Sequence, residues 1–331
     1  MRPFDELTEG GRARRLGRLA RTALDRYDLD VESVRFFARH SNSLFTVTTV
    51  DGNRYILRVG INGPVGHPRS QVDTEVMWIE ALARDTDLIL PEPIRNREGS
   101  PVTSLAVDGV PDERNVVVFR WLDGRISDEH VSAAAMRSIG VLSAKLHRHG
   151  STFEPPPSFS ALTYDRVFPY DEPVVLFDGN HDGLVPPSRQ AVFLEARDQA
   201  AEAIDHLRSV EPTRIIHGDL HRWNVKICGG VAAPFDFEDL VWGWPVQDIA
   251  ITWYYQWSRD DYQALNDAFR DGYETEAEWP ERYPGEINRF IAGRTLVIGN
   301  DVLIQPEWRH AAAATLDRGE RRIRDVLNLQ A

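Results

Sequence analysis

Residues 11 to 27 place apolar Leu16, Leu19, Ala20, Ala23 and Leu24 at helical spacing, and a helix is expected there. The pattern then switches to the two-residue period of strands in SLFTVTTVDGNRYILRV. Leu44 to Val50 and Tyr55 to Val59 read as a hairpin turned by Asp51, Gly52 and Asn53. Helical spacing returns over residues 70 to 84, with Val72, Val76, Ile79 and Leu82 on one face. NVVVFRWL, from Asn115 to Leu122, reads as a further strand.

The character changes after Asp123 and Gly124. Ser127 is the expected N-cap of a long helix through His147, whose apolar face is Val131, Met136, Ile139, Val141, Leu142 and Leu146. Residues 150 to 187 are rich in Pro, Gly and aromatics and read as irregular, and 189 to 209 read as helix. A short apolar run, Arg214 to Ile216, then breaks into HGDLHRWN, and helix dominates to the end. The pattern predicts an α+β chain with two parts, residues 1–122 sheet-rich behind a leading helix and 123–331 mainly helical, joined by a hinge near 119 to 124. A length of 331 residues fits about two domains.

Composition narrows the partners. The formal net charge of −13 argues against nucleic acid, whose backbone calls for a basic surface. About half of that charge lies between Asp260 and Glu286, which hold nine acidic and two basic residues. That segment also carries Tyr262, Tyr273, Trp279 and Tyr283, and reads either as a solvated helical face or as a substrate-facing region suited to amines. Trp242, Trp244, Trp253, Tyr254, Tyr255 and Trp257 just before it read as core packing, some of it lining a pocket. No run of 18 apolar residues points to a membrane helix, and the polar start shows no signal peptide. The single cysteine, Cys228, has no partner for a disulfide and reads as a small buried hydrophobe. The expected compartment is the cytoplasm. The oligomeric state is left open.

The densest chemistry is His217, Asp219 and Asn224, followed by Asp236 seventeen residues after Asp219. Between them VKICGGVAAPF has a Gly-Gly turn between short apolar runs, and a hairpin would bring Asp236 back beside Asn224. One carboxylate, one carboxamide and a second carboxylate then converge on a loop edge. Phosphoryl transfer calls for such a set, because its transition state is stabilised by positioning and charge neutralisation. Mg2+ takes hard oxygen ligands and keeps several waters, so Asn224 and Asp236 with ATP phosphates suffice. Asp219 is the expected base for an attacking hydroxyl. Four residues separate this Asp from the Asn, as in the catalytic loop of protein kinases. His217 and His221 are four apart, yet lack a third ligand in a zinc pattern.

HGDLHRWN followed by FDFEDLVWGWPVQDIA resembles the aminoglycoside phosphotransferase and choline kinase superfamily, closest to bacterial homoserine-kinase-like and stress-response-kinase-A-like proteins. The resemblance implies a protein-kinase-like two-lobed fold, with a small antiparallel-sheet N-lobe and a larger helical C-lobe. It implies Asp219 as catalytic base, His217 as loop support, Asn224 and Asp236 as Mg2+ ligands, and Asp248 as a brace behind the loop. In the first part it implies that Arg58 holds the ATP phosphates and pairs with Glu75, Glu80 being the weaker partner. Arg58 and Glu75 also admit plainer readings, an exposed strand arginine and a solvated helix face. Ser41, Asn42 and Ser43 stand where the phosphate-covering loop is expected, although RHSNSLF contains no glycine and an ordinary turn fits as well. Phe119, Arg120, Trp121 and Leu122 are the expected adenine-contacting hinge. The implied function is ATP- and Mg2+-dependent transfer to a hydroxyl of a small, amine-bearing molecule. Two alternatives are a protein serine or threonine acceptor and a non-catalytic nucleotide-binding pseudokinase.

Overall fold

The computed structural model describes residues 2–39, 42–61, 66–127, 131–170, 172–181, 183–306 and 308–329. They divide into two compact units, residues 1–123 with 154–160, and residues 124–153 with 161–331.

In the first unit α1 (Glu9–Leu24) starts at Thr8, whose hydroxyl accepts the Gly11 amide at 3.2 Å. Its stripe of Leu16, Leu19, Ala20, Ala23 and Leu24 packs on Phe45, Val47, Leu57, Val116 and Val118 of the sheet. The strands are β1 (Val31–Arg39), β2 (Ser43–Thr49), β3 (Arg54–Val59), β4 (Val102–Leu105) and β5 (Arg114–Arg120), in the antiparallel order β1-β2-β3-β5-β4. The sequence pattern showed β2, β3 and β5. It did not show β1, because that strand is an edge with mostly exposed or half-buried residues and so lacks clean alternation. Helix α2 (Arg69–Asp85) lies between β3 and β4 in the chain and buries Val72, Val76, Trp78, Ile79 and Leu82.

The second unit opens with β6 (Arg125–Ile126), followed by α3 (Ala133–Thr152), β7 (Leu162–Thr163) and α4 (Pro187–Val210). Next come β8 (Arg214–Ile216), β9 (Val225–Cys228), β10 (Val231–Pro234), β11 (Val241–Gly243), α5 (Pro245–Tyr254), α6 (Tyr262–Tyr273), α7 (Glu286–Ile304) and α8 (Ala312–Val326). Two three-stranded sheets, β10-β9-β6 and β7-β11-β8, are set among the helices. Ser127 does not cap α3. The backbone there is still strand-like, with β6 paired to β9 and the Ser127 amide bonded to Val225 O at 2.8 Å. Ser132 is the cap, its hydroxyl accepting the Ala135 amide at 3.2 Å. Helix α7, EINRFIAGRTLVIGNDVLI, is buried on nearly every side, and its buried residues include the polar Glu286, Arg294, Thr295 and Asn300. No helix among the described residues is long and apolar enough to cross a membrane.

Helices α3 and α6 pack through two glycines. A methyl group at Gly140 would lie 1.9 Å from Phe269 O, and one at Gly272 would lie 1.9 Å from Arg137 O. Both obstacles are backbone, so neither can step aside. Gly140→Ala is therefore expected to destabilise the chain by ~2 kcal/mol or more. A urea unfolding midpoint equal to wild type would contradict this close approach.

Candidate active site

Strand β8 pairs with β11 in its small sheet, with Ile215 and Ile216 fully buried. It therefore ends at a fixed point, and His217, Gly218 and Asp219 follow. Asp248, buried on α5, organises this corner. Its Oδ2 accepts the His217 amide at 2.9 Å and its Oδ1 accepts the Gly218 amide at 2.8 Å. Behind Asp248 the buried His147 places Nε2 3.2 Å from Oδ2 and Nδ1 3.0 Å from the Tyr273 hydroxyl. Gly218 turns the chain at φ 80°, and a methyl there would meet Asp239 O at 2.0 Å. The Thr252 hydroxyl donates to Leu220 O at 2.5 Å, so α5 holds the loop at a second point. Burial pushes the His217 imidazole below its usual pKa, which favours the neutral ring. Its Nε2 faces Phe235 O at 3.3 Å and its Nδ1 accepts the Asp219 amide at 3.4 Å, so the proton is assigned to Nε2.

Asp219 is largely buried, yet its side chain keeps 17% exposure, enough for a substrate to reach it. Oδ1 accepts from Arg294 Nη2 at 2.6 Å, and Oδ2 faces His221 Nε2 at 3.2 Å. Burial opposes its charge, but Arg294 and His221 outweigh burial and hold the carboxyl far below its usual range. Asn224 follows on a 3-10 turn, Arg222–Asn224, and donates Nδ2 to Asp219 O at 3.1 Å. That bond engages the amide nitrogen and leaves Oδ1 as the ligand atom for a cation. β9 and β10 form the expected hairpin around Gly229 and Gly230, both at positive φ. The Phe235 amide then bonds Asn224 O at 2.9 Å, which brings the exposed Asp236 beside Asn224. Asp236 sits at φ 66°, a left-handed position that Asp tolerates better than most residues. Among the described residues, no three His, Cys, Asp and Glu side chains gather as a metal site. A carboxamide and one carboxylate fit a cation that keeps waters and takes phosphate oxygens.

In the first unit Arg58 on β3 and Glu75 on α2 form a buried, two-bond ion pair, Nη1 to Oε1 at 2.9 Å and Nη2 to Oε2. Neither residue is a solvated surface group. Glu80 is engaged elsewhere, accepting from Arg95 Nη2 at 2.6 Å. Asn42 and Ser43 lie at the start of β2, near the tip where β1 turns back, and both are buried. Ser43 and Leu44 pair with Val59 and Arg58, so this tip sits beside the arginine. The buried Ser43 hydroxyl has no hydrogen-bond partner among the described residues. Ser41 lies outside the described residues. In the segment Phe119–Leu122, Phe119 belongs to β5, and the Arg120 and Trp121 amides are already bonded to Glu92 O at 2.8 Å and Arg54 O at 3.1 Å. A nucleotide there would need groups other than those two amides.

The residues absent from the sequence reading come from far along the chain. Arg294 on α7 reaches Asp219 and also lies 3.4 Å from the Tyr255 hydroxyl. Burial works against its charge, while Tyr255, Asp219 and Tyr170 support it, so the guanidinium stays protonated. Burial likewise pushes the Tyr255 hydroxyl up to about 12. His221, which had no expected role, pairs with Asp219 and lies edge-on to Tyr255, ring centres 4.6 Å apart. The available signal was Arg294 itself, set in the run IAGRTLV of a largely buried helix. The acidic segment 260–286 takes another place: Trp279 stacks on Trp253 at 5.8 Å, and residues 277–282 line a cavity of about 410 Å³ with His147, Glu211 and Arg214. Cys228 is half-buried rather than buried.

A loop braced by Asp248 thus carries Asp219, with Asn224 and Asp236 beside it. Residues 33–284 match the APH phosphotransferase enzyme family. That is most of the chain, and the chain belongs to this family. The amicoumacin kinase of Bacillus subtilis (strain 168) is 24% identical over 254 residues, covering 75% of this chain and 71% of that protein. Among solved structures, an amicoumacin kinase in complex with AMP-PNP, Ca2+ and Ami superposes with a TM-score of 0.73 at 19% identity, over 92% of this chain and 93% of that one. A microcompartment-associated aminopropanol kinase reaches 0.77 at 21% identity, over 94% and 97%. A spectinomycin phosphotransferase with ADP and spectinomycin reaches 0.64 at 11% identity, over 94% and 98%. The fold is therefore that of the kinase-like phosphotransferases.

Asp248→Ala strips two buried amides of their acceptor. Each such loss costs about 1–3 kcal/mol, so a stability loss of ~3 kcal/mol is expected, with a lower turnover in the fraction that stays folded. Unchanged denaturant midpoint and unchanged turnover would contradict the bracing role. Glu75→Ala removes the carboxylate that pairs with the buried Arg58, with an expected cost of about 3–5 kcal/mol. Thermal unfolding of that variant at wild-type temperature would show that the pair is dispensable.

Proposed function

We propose that this chain transfers the γ-phosphate of ATP to a hydroxyl of a small molecule, with Mg2+ as the cofactor. The observation that carries the reading is the fixed, partly exposed Asp219, with Asn224 joined to it by a hydrogen bond and Asp236 returned beside Asn224. Asp219 receives the acceptor hydroxyl, orients its oxygen toward the γ-phosphorus and takes its proton. His217 holds the loop that carries Asp219. Asn224 Oδ1 and Asp236 would hold the cation. Mg2+ supplies neutralisation of the charge that grows on the phosphate oxygens. Arg58, kept in place by Glu75, steadies the remaining phosphates, and its planar fork suits two phosphate oxygens at once. Ser43 and Asn42 offer further donors in place of a glycine-rich loop. The first unit is thus the nucleotide-binding part and the second the catalytic and acceptor-binding part. ATP and Mg2+ are plentiful in the cytoplasm, where we place the reaction.

The relatives support this reading through what is bound in them: AMP-PNP with Ca2+ in one case and ADP in another. Their names include amicoumacin, aminopropanol and spectinomycin, all small molecules. The glycine-free loop is the one feature that favours a pseudokinase, and the complete set of Asp219, Asn224 and Asp236 speaks against it.

Two variants separate chemistry from nucleotide binding. Asp219→Ala is expected to lower turnover by about 10²–10⁴-fold while nucleotide affinity stays close to wild type. Asp236→Ala should remove the Mg2+-dependent part of ATP binding, read by calorimetry with and without the metal. Wild-type turnover in Asp219→Ala would overturn the role of that residue as base. Metal-dependent binding that survives Asp236→Ala would overturn the role of Asp236 as cation ligand.

A further inference from the structure

We infer that Arg294 belongs to the acceptor site and selects hydroxyl acceptors that also carry a carboxylate. The inference rests on Asp219 as the base and adds the charge of the substrate. Both oxygens of Asp219 are occupied by donors: Arg294 Nη2 lies 2.6 Å from Oδ1, and His221 Nε2 and Asn224 Nδ2 lie 3.2 Å and 3.3 Å from Oδ2. A hydroxyl in hydrogen-bond reach of Oδ1, about 2.7 Å away, is therefore a close neighbour of the guanidinium.

A guanidinium has five N–H donors and no acceptor. Here Nη2 is shared between Asp219 and the Tyr255 hydroxyl, while the buried Nε–H has no partner among the described residues, in a side chain only 9% exposed. The hydroxyls of Tyr164 and Tyr170 and the carboxyl of Asp301 also bear on its charge. The site thus presents a buried cation with unmet donor capacity next to the reacting hydroxyl. A carboxylate answers it with two parallel acceptors in one plane. An ammonium group at the same place meets a like charge in a poorly solvated pocket and is disfavoured.

In the transfer, the acceptor O–H bond breaks and its proton passes to Asp219. The oxygen bonds to the γ-phosphorus, the bond from that phosphorus to the β–γ bridging oxygen breaks, and ADP leaves. Arg294 exchanges no proton and holds the carboxylate so that the hydroxyl points at Asp219.

Three matched pairs differ by one carboxylate alone: L-homoserine and 3-aminopropan-1-ol, L-serine and ethanolamine, L-threonine and 1-aminopropan-2-ol. With the full chain and Mg-ATP, kcat/KM is expected to favour the carboxylated member of the best pair by about tenfold or more. In Arg294→Gln that ratio should fall to within about threefold, with Arg294→Lys, which keeps the charge and loses the fork, in between. Because the readout is a ratio, partial unfolding of a variant affects both members equally. Calorimetric titration of the same pairs into the Mg2+ and AMP-PNP complex makes the comparison without turnover, so a chain that phosphorylates none of the six still decides the matter. A wild-type ratio near one or inverted overturns the inference, as does a ratio that survives Arg294→Gln, or equal or absent binding of both members in calorimetry. The kinase reading fails differently, by absence of transfer to every acceptor together with ATP binding that ignores the metal.

Discussion

The second unit's chemistry depends on one buried carboxyl group. Asp248 accepts the two successive amides that begin the loop after β8, one on each of its oxygens. The constraint passes outward from it. With His217 and Gly218 held, the left-handed turn at Gly218 directs Asp219 to the edge, and the neutral His217 ring bonds back to Phe235 O just before Asp236. It also passes inward, through His147 to Tyr273 at the end of α6. A brace on backbone amides suits a catalytic loop, because it fixes the chain without using the side chains that do the work.

Charge explains the rest of the corner. A carboxylate as buried as Asp219 needs a counter-charge to remain ionised. Arg294 provides it at 2.6 Å, and Asp219 in turn allows a guanidinium at a buried position of α7. The first unit repeats the device with Arg58 and Glu75, again a buried pair with two bonds. In both cases a charged group is held in place by its partner within the protein.

What the sequence disclosed and what it hid follow from distance along the chain. Asp219, Asn224 and Asp236 fall within a short stretch, so spacing and a Gly-Gly hairpin were enough to bring them together, while the places of His217 and Asp248 came from the family resemblance. Glu75 was legible as the helix partner of a strand arginine. Arg294 was not, because its relation to Asp219 is set by the packing of α7 against α5, which no local pattern encodes, and Tyr255 was read only as one of a group of packing aromatics. β1 stayed hidden because an edge strand need not alternate, and Ser127 misled because a good capping residue can also sit in a strand. The segment 260–286 read either as a solvated face or as a substrate-facing region, and in the structure its Trp279 and Tyr273 pack on one another and on Phe269.

The most direct measurement is the transfer of γ-labelled phosphate from ATP by the wild-type chain, with Mg2+ and with the metal chelated, into separate pools of amino alcohols, hydroxy amino acids and aminocyclitols. Label in a small-molecule pool that disappears on chelation is the predicted result. Silence in every pool, combined with ATP binding that does not respond to Mg2+, would contradict the account.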